Sequence, residues 1–303
     1  MKKLLIDLFQ HKDFVNRVSQ TEIYNEGWML RLTMNELEQE LGGIDAIGKI
    51  SFEDFKKKKG ILWFSEALLP TPFPARSKDD HGKGVWFRGG ENHTHADAIA
   101  GFYSFNDKGG VPDLEGKKKQ ETELKEIGSR FYVIEAKMNS ELRQEVTKAK
   151  NYNQITRNIA CIGKMIEISK KNLEAIDEGD IGFYLLCPKE YKVSIKEGTK
   201  GERVVKFSRK AKEIEKDNIL KMKEDIIDQI ENRLSDYKNQ PDEVKQHADK
   251  NCEWLDKNYK ALVKKIDIKI ITWESLIDKV TDKERKKELE DFYNNCKIYN
   301  KIK

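Results

Sequence analysis

The sequence predicts an α/β fold, a buried sheet flanked by helices, with an added charged helical region. Three observations predict it. Phe131–Met138 and Gly179–Cys187 are short, mostly apolar runs with the β-branched and aromatic content of buried strands. Between them, from Ser140 to Lys171, apolar residues recur at three- and four-residue steps: Leu142, Val146, Ala149, Tyr152, Ile155, Ile159, Ile162 and Ile166. That stripe is one face of a long helix, which Ser140 or Asn139 can cap. Strand, helix, strand in this order implies a crossover unit with parallel strands. Third, residues 216–265 have helical spacing but are dense in charge, with Pro241 dividing them.

The other elements follow in chain order. Helical spacing covers 3–19 and about 21–41, where Gly42-Gly43 stops it, although Met29 to Met34 also suits a short strand. A short helix is expected within 44–60, ending in the lysine run Lys56–Lys59. Ile61 to Leu69 is apolar until Pro70-Thr-Pro-Phe-Pro74 breaks it. Gly84–Arg88 reads as a strand, and so does the run from Ala96 to Phe105. Residues 106–129 lack a core pattern and read as a mobile connection; 189–215 read as polar and irregular. Ile266–Ile271 alternates as a strand, Thr272 caps a helix at Trp273, and a last helix covers about 282–299. Trp63, Trp86 and Trp254 sit in apolar surroundings and are expected in the core.

Composition bounds the function. The 303 residues carry 36% charged side chains, yet 13 Phe, 10 Tyr and 5 Trp supply core material. The net charge of +4, from 57 basic and 53 acidic residues, is slight, so any nucleic-acid surface must come from local clustering such as Lys56–Lys59 or Lys117–Lys119. No run approaches the roughly 18 apolar residues of a membrane span, and the first residues read as an amphipathic helix, not a signal peptide. Cys161, Cys187, Cys252 and Cys296 lie far apart without a CxxC pair; they read as reduced thiols of a cytoplasmic protein.

Two charges stand out. Glu135 and Lys137 interrupt an otherwise apolar strand, and alternation puts both on one face. Either one buried alone is costly. A surface Glu–Lys pair would explain them. So would a metal site: Asp97, on an earlier strand, and Glu135 would be carboxylate ligands for Mg²⁺, with the Ala136 carbonyl as a third oxygen. Lys137 would then orient a water and stabilise charge developing on a phosphodiester. His93 and His95 flank the first acid and are weaker candidates.

With Asp97, then Glu135-Ala-Lys137, then a helix and a further strand, residues 20–190 resemble the PD-(D/E)XK phosphodiesterase superfamily, the fold of many restriction endonucleases. The resemblance implies a restriction-endonuclease-like core with a mixed central sheet. It implies a Mg²⁺-dependent endodeoxyribonuclease, Mn²⁺ standing in, of a restriction or defence type. Its partner would be nucleic acid, DNA before RNA, and cutting two strands would suggest a homodimer. It also implies roles for Gln154, in Tyr152-Asn-Gln-Ile-Thr-Arg157, as a group behind the metal or facing phosphate, and for Glu26, with Glu22 behind it, as a further metal-facing acid. The literal Pro-Asp pair is Pro112-Asp113, but no strand pattern follows it, so Asp97 is favoured; Glu91 is a third acid in reach. On this reading 1–190 form the nuclease-like core with N-terminal helices, 191–265 a charged insert or arm, and 266–303 a strand and helices packing back on the core. An inactive nucleic-acid-binding relative and a structural or protein-interaction role are the alternatives.

Overall fold

A mixed sheet of five strands forms the spine of the protein, in a computed structural model that describes residues 24–39, 63–78, 83–91, 94–105, 124–140, 152–197 and 205–300. Along the chain run α1 (Glu26–Gln39), β1 (Trp63–Leu69), β2 (Arg76–Lys78), β3 (Gly84–Trp86), β4 (Thr94–Phe105) and β5 (Leu124–Ala136). Then come α2 (Gln154–Ile168), β6 (Ile181–Cys187), β7 (Lys192–Glu197), β8 (Val205–Lys210), α3 (Lys216–Lys238) and α4 (Asp242–Lys265). The chain closes with β9 (Asp267–Thr272), α5 (Trp273–Ile277) and α6 (Lys283–Tyr299). The strand order is β1-β4-β5-β6-β9. β4 is antiparallel to β1 and β5, whereas β5, β6 and β9 are parallel.

Both faces of the sheet are covered, which is why its central strands read as unbroken apolar runs. Phe131 and Val133 of β5 and Phe183 and Leu185 of β6 point into one core with Ile159, Ile162 and Ile166 of α2. Met222, Ile226, Ile230 and Leu234 of α3 and Leu255 and Leu262 of α4 belong to the same core, so the charged region contributes its apolar stripes to the sheet's own packing. The alternate residues Tyr132, Ile134, Tyr184 and Leu186 point into a second core with Met29, Met34 and Leu37 of α1, Trp273 and Leu276 of α5, and Leu289 and Tyr293 of α6. Burial of each such side chain is worth about 1.5–3 kcal/mol. Gly163 lets α2 meet α4 closely: a Cβ there would lie 2.8 Å from Leu262 Cδ2.

Several expectations are corrected. No single helix spans 140–171: Tyr152 and Asn153 are non-helical, and α2 begins only at Gln154, because the Asn153 side chain accepts from the Thr156 N–H and caps it there. Residues 141–151, and with them the capping role expected of Ser140, lie outside the described residues. β5 starts at Leu124, inside the stretch read as connection. Opposite Gly101–Tyr103 and Ser104–Phe105 of β4 it carries extra residues, and these bulges break the two-residue alternation that would have marked it. Residues 192–197 and 205–210 form the β7–β8 antiparallel pair instead of irregular chain. Helix α1, not a strand, holds Met29–Met34, and Asn25 starts it by accepting from the Trp28 N–H at 3.0 Å. Trp86 is 68% exposed and not in the core, because its three-residue strand pairs only with β2 and lies off the main sheet. The helices expected at 3–19 and 44–60, with Glu22, Lys56–Lys59, His93, Asp113 and Lys117–Lys119, lie outside the described residues. No described helix is long and apolar enough to cross a membrane. All four cysteines are buried and free.

Candidate functional site

The candidate site forms where β4 and β5 part company. Their backbone pairing ends at Ala98↔Ile134. One step further the same register sets Asp97 opposite Glu135, on the same face of the sheet. Asp97 does not continue the ladder. Its Oδ2 instead accepts from the Ala136 N–H at 2.8 Å, so a side chain replaces a strand partner and the two strands open around the carboxylates. The end of β5 is fixed from the other side: Lys137 N–H donates to Leu186 O at 2.8 Å, and the buried Trp273 indole donates to Lys137 O at 3.0 Å.

Four of the residues read from the sequence come together here. Glu135 is fully buried, and Lys137 is buried beside it, with its Nζ donating to Glu135 Oε1. Gln154 Nε2 donates to the same oxygen from the first turn of α2. Asp97 completes the group. Glu26, from the start of α1, sits at its edge. Glu26 Oε2 accepts from Met138 N–H at 3.2 Å and from the Ser140 hydroxyl at 3.5 Å. Its charge is felt by both Asp97 and Lys137. His95 is exposed on β4. Glu91 is engaged elsewhere: Arg233 holds its Oε1, and Arg157 and Thr71 hold its Oε2.

One participant was not anticipated. Asn158 lies one turn after Gln154, so both project from the same face of α2. It is 1% exposed, and its Nδ2 donates to Glu135 Oε2 at 3.2 Å. Both Glu135 oxygens are thereby held by amides from one helix. The four-residue spacing Gln154-x-x-x-Asn158 was the available signal.

The electrostatics follow from three acids sharing one ammonium in a dry setting. Burial, then the Asp97 charge, pushes the Glu135 carboxyl up to about 8 against the pull of Lys137 and Asn158. Burial also raises Asp97, opposed by Lys137 and the Ala136 N–H and reinforced by Glu26. Burial works against the Lys137 ammonium, but Glu135, Asp97 and Glu26 outweigh it and hold its pKa above the usual lysine value. Among the described residues no three His, Cys, Asp or Glu side chains are grouped as a ready metal cage. The donors brought together are two carboxylates, hard oxygens with a third acid, Glu26, at their edge. That set fits a hard divalent cation that keeps several of its waters.

A pH dependence follows. The fold favours neutral Glu135, so its contribution is fully present below the ordinary value of 4.5 and is lost as pH rises through about 8. In EDTA the melting temperature should fall between pH 5 and pH 8 by more in the parent protein than in Glu135→Gln. Excess Mg²⁺, by displacing that proton, should remove the difference. Thermal scans of both proteins across pH, with and without the metal, check this.

Comparison of the chain with protein-family models, with curated proteins and with solved structures returned no match.

Proposed function

We propose that the protein is a Mg²⁺-dependent nuclease that hydrolyses DNA phosphodiester bonds, built on a restriction-endonuclease-like core, as an endonuclease of a restriction or defence type. The observation that carries this reading is the opposed pair Asp97 and Glu135 at the parting of β4 and β5, with Lys137 next to it and a helix-borne amide on each Glu135 oxygen.

Asp97, Glu135 and the Ala136 carbonyl would hold the ion, and Glu26 would add negative charge at its edge. Bound there, Mg²⁺ would neutralise phosphate charge and lower the pKa of a water. The protein's own groups have separable tasks. Gln154 and Asn158 keep the Glu135 carboxylate in one orientation. Asp97 is held by the Ala136 N–H, so both ligands are oriented before any ion arrives. Lys137 is held charged by the acids around it, and its ammonium would donate to a phosphate oxygen and help orient the attacking water.

The test is incubation of the purified protein with plasmid, single-stranded DNA and RNA in Mg²⁺, Mn²⁺ or EDTA. Cleavage of DNA in Mg²⁺ that EDTA abolishes and Glu135→Gln lacks is the expected result. No metal-dependent cleavage of any of the three by a folded sample would overturn it. Cleavage that survives Glu135→Gln would place the chemistry elsewhere.

A further inference from the structure

We infer that the β2–β3 ribbon is the surface on which this protein holds single-stranded DNA, an unstacked base lying against Trp86. The inference rests on the nuclease reading for its choice of partner and goes beyond it in naming the strand form and the contact.

Trp86 is the one tryptophan of the described residues that is exposed. A lone exposed apolar side chain needs no explanation, but this one is built into a set. Arg76 is its direct cross-strand partner, and the guanidinium lies over the indole, 5.4 Å from the ring centroid. Arg76, Lys83 and Arg88, on the ribbon's strands and flanks in the chain, are all exposed. Between Arg76 and Arg88 the sequence holds four basic and two acidic residues, so the ribbon carries a positive excess that the chain as a whole barely has.

The ribbon is also held firmly at its base, as a stacking platform must be. The buried Phe87 donates its N–H to Ala75 O at 3.0 Å. Gln240 binds both the N–H and the carbonyl of Arg88 at 2.9 Å, and Tyr237 donates to Pro74 O at 3.0 Å. Topology sets where it stands. β1 leaves the sheet at Leu69 and β4 re-enters opposite it at Thr94, three residues before Asp97. The ribbon belongs to that excursion, so it rises from the same end of the sheet as the two carboxylates.

An aromatic face beside cations suits an unpaired strand. Every base offers a π-face, the cations track phosphates, and stacking is closed to bases within a duplex. Arg76 lies over the indole, and with Trp86 68% exposed a base would take the face opposite the guanidinium.

The experiment titrates the full chain in EDTA with an end-labelled single-stranded oligodeoxynucleotide and with the matching duplex, following anisotropy and tryptophan emission. The expected result is quenching of emission by the single strand, a roughly tenfold or greater loss of its affinity in Trp86→Ala, and recovery of most of it in Trp86→Tyr. Duplex affinity should change little. Unchanged single-strand affinity in Trp86→Ala, an equal loss for the duplex, or no binding of single strands by the parent protein would each overturn the inference. Metal-dependent cleavage is scored separately. Cleavage with no role for Trp86 fails this inference alone; Trp86-dependent binding without cleavage fails only the nuclease reading.

Discussion

Replacing Lys137 with methionine should lower kcat for metal-dependent DNA cleavage by about a hundred- to a thousand-fold, the usual cost of losing one preorganised charge-stabilising donor. Affinity for an oligonucleotide should change little, because the ribbon and not Lys137 is the proposed binding surface. The variant should also fold. Glu135 loses one partner but keeps Gln154 and Asn158, and below about pH 8 it is held neutral by burial, so no naked charge is stranded. Methionine keeps the length and apolar stem that let Lys137 lie buried. Single-turnover cleavage, with near-ultraviolet circular dichroism as the control for folding, measures the effect. Activity within threefold of the parent would remove Lys137 from the mechanism and return it to the plain role of a hydrogen-bond donor to buried Glu135.

How much of this was legible in the sequence depends on the range of each interaction. The Glu135–Lys137 pair could be read because strand alternation is local, and an acid and a base on one face of a buried run require an explanation. Gln154 came from resemblance. Asn158, one turn on, was passed over because a lone asparagine in a helix is unremarkable until its helix is docked. β5 was read short for a geometric reason: it carries extra residues where it passes Gly101–Tyr103 and Ser104–Phe105 of β4, and these upset the alternation from Leu124 to Arg130. The β7–β8 pair does alternate, as in Val205-Lys-Phe-Ser-Arg-Lys210, but its lysines hid the pattern in a charged stretch. The opening between β4 and β5 could not be read at all, since it depends on Asp97 accepting from an N–H 39 residues away.

The least legible feature carries the largest expected stability effect. Arg233→Met should destabilise the protein by about 2–3 kcal/mol, measured by urea unfolding at neutral pH, because it leaves one oxygen of a buried carboxylate without its partners, while Arg157 and Thr71 still hold the other. Arg233, 3% exposed, gives Nε and Nη2 to Glu91 Oε1 at 3.2 and 3.0 Å, and Nη2 also donates to Gly89 O at 2.6 Å. Its guanidinium is stacked among Phe73, Tyr152 and Tyr237, with ring centroids at 4.8, 5.5 and 5.7 Å. Glu91, 142 residues earlier, holds Arg157 with its other oxygen at 3.1 Å. The clamp thus ties α3 and the loop bearing the ribbon to α2, one turn from Gln154. It acts beside a second tie, Gln229 of α3, whose Oε1 accepts from Asn153 N–H and the Thr156 hydroxyl, each at 2.9 Å. Removing both charges, in Arg233→Met with Glu91→Leu, should recover much of the lost stability, since the penalty lies in the half-paired buried carboxylate and Arg157 is partly solvated. A single substitution costing less than about 1 kcal/mol, or a double variant as unstable as the sum of its parts, would show that the pair is not coupled. Because the same clamp sets the start of α2, the single variant should also lose kcat at temperatures where it is still fully folded. The double variant, with α2 no longer tied to Glu91, should regain stability without regaining that rate.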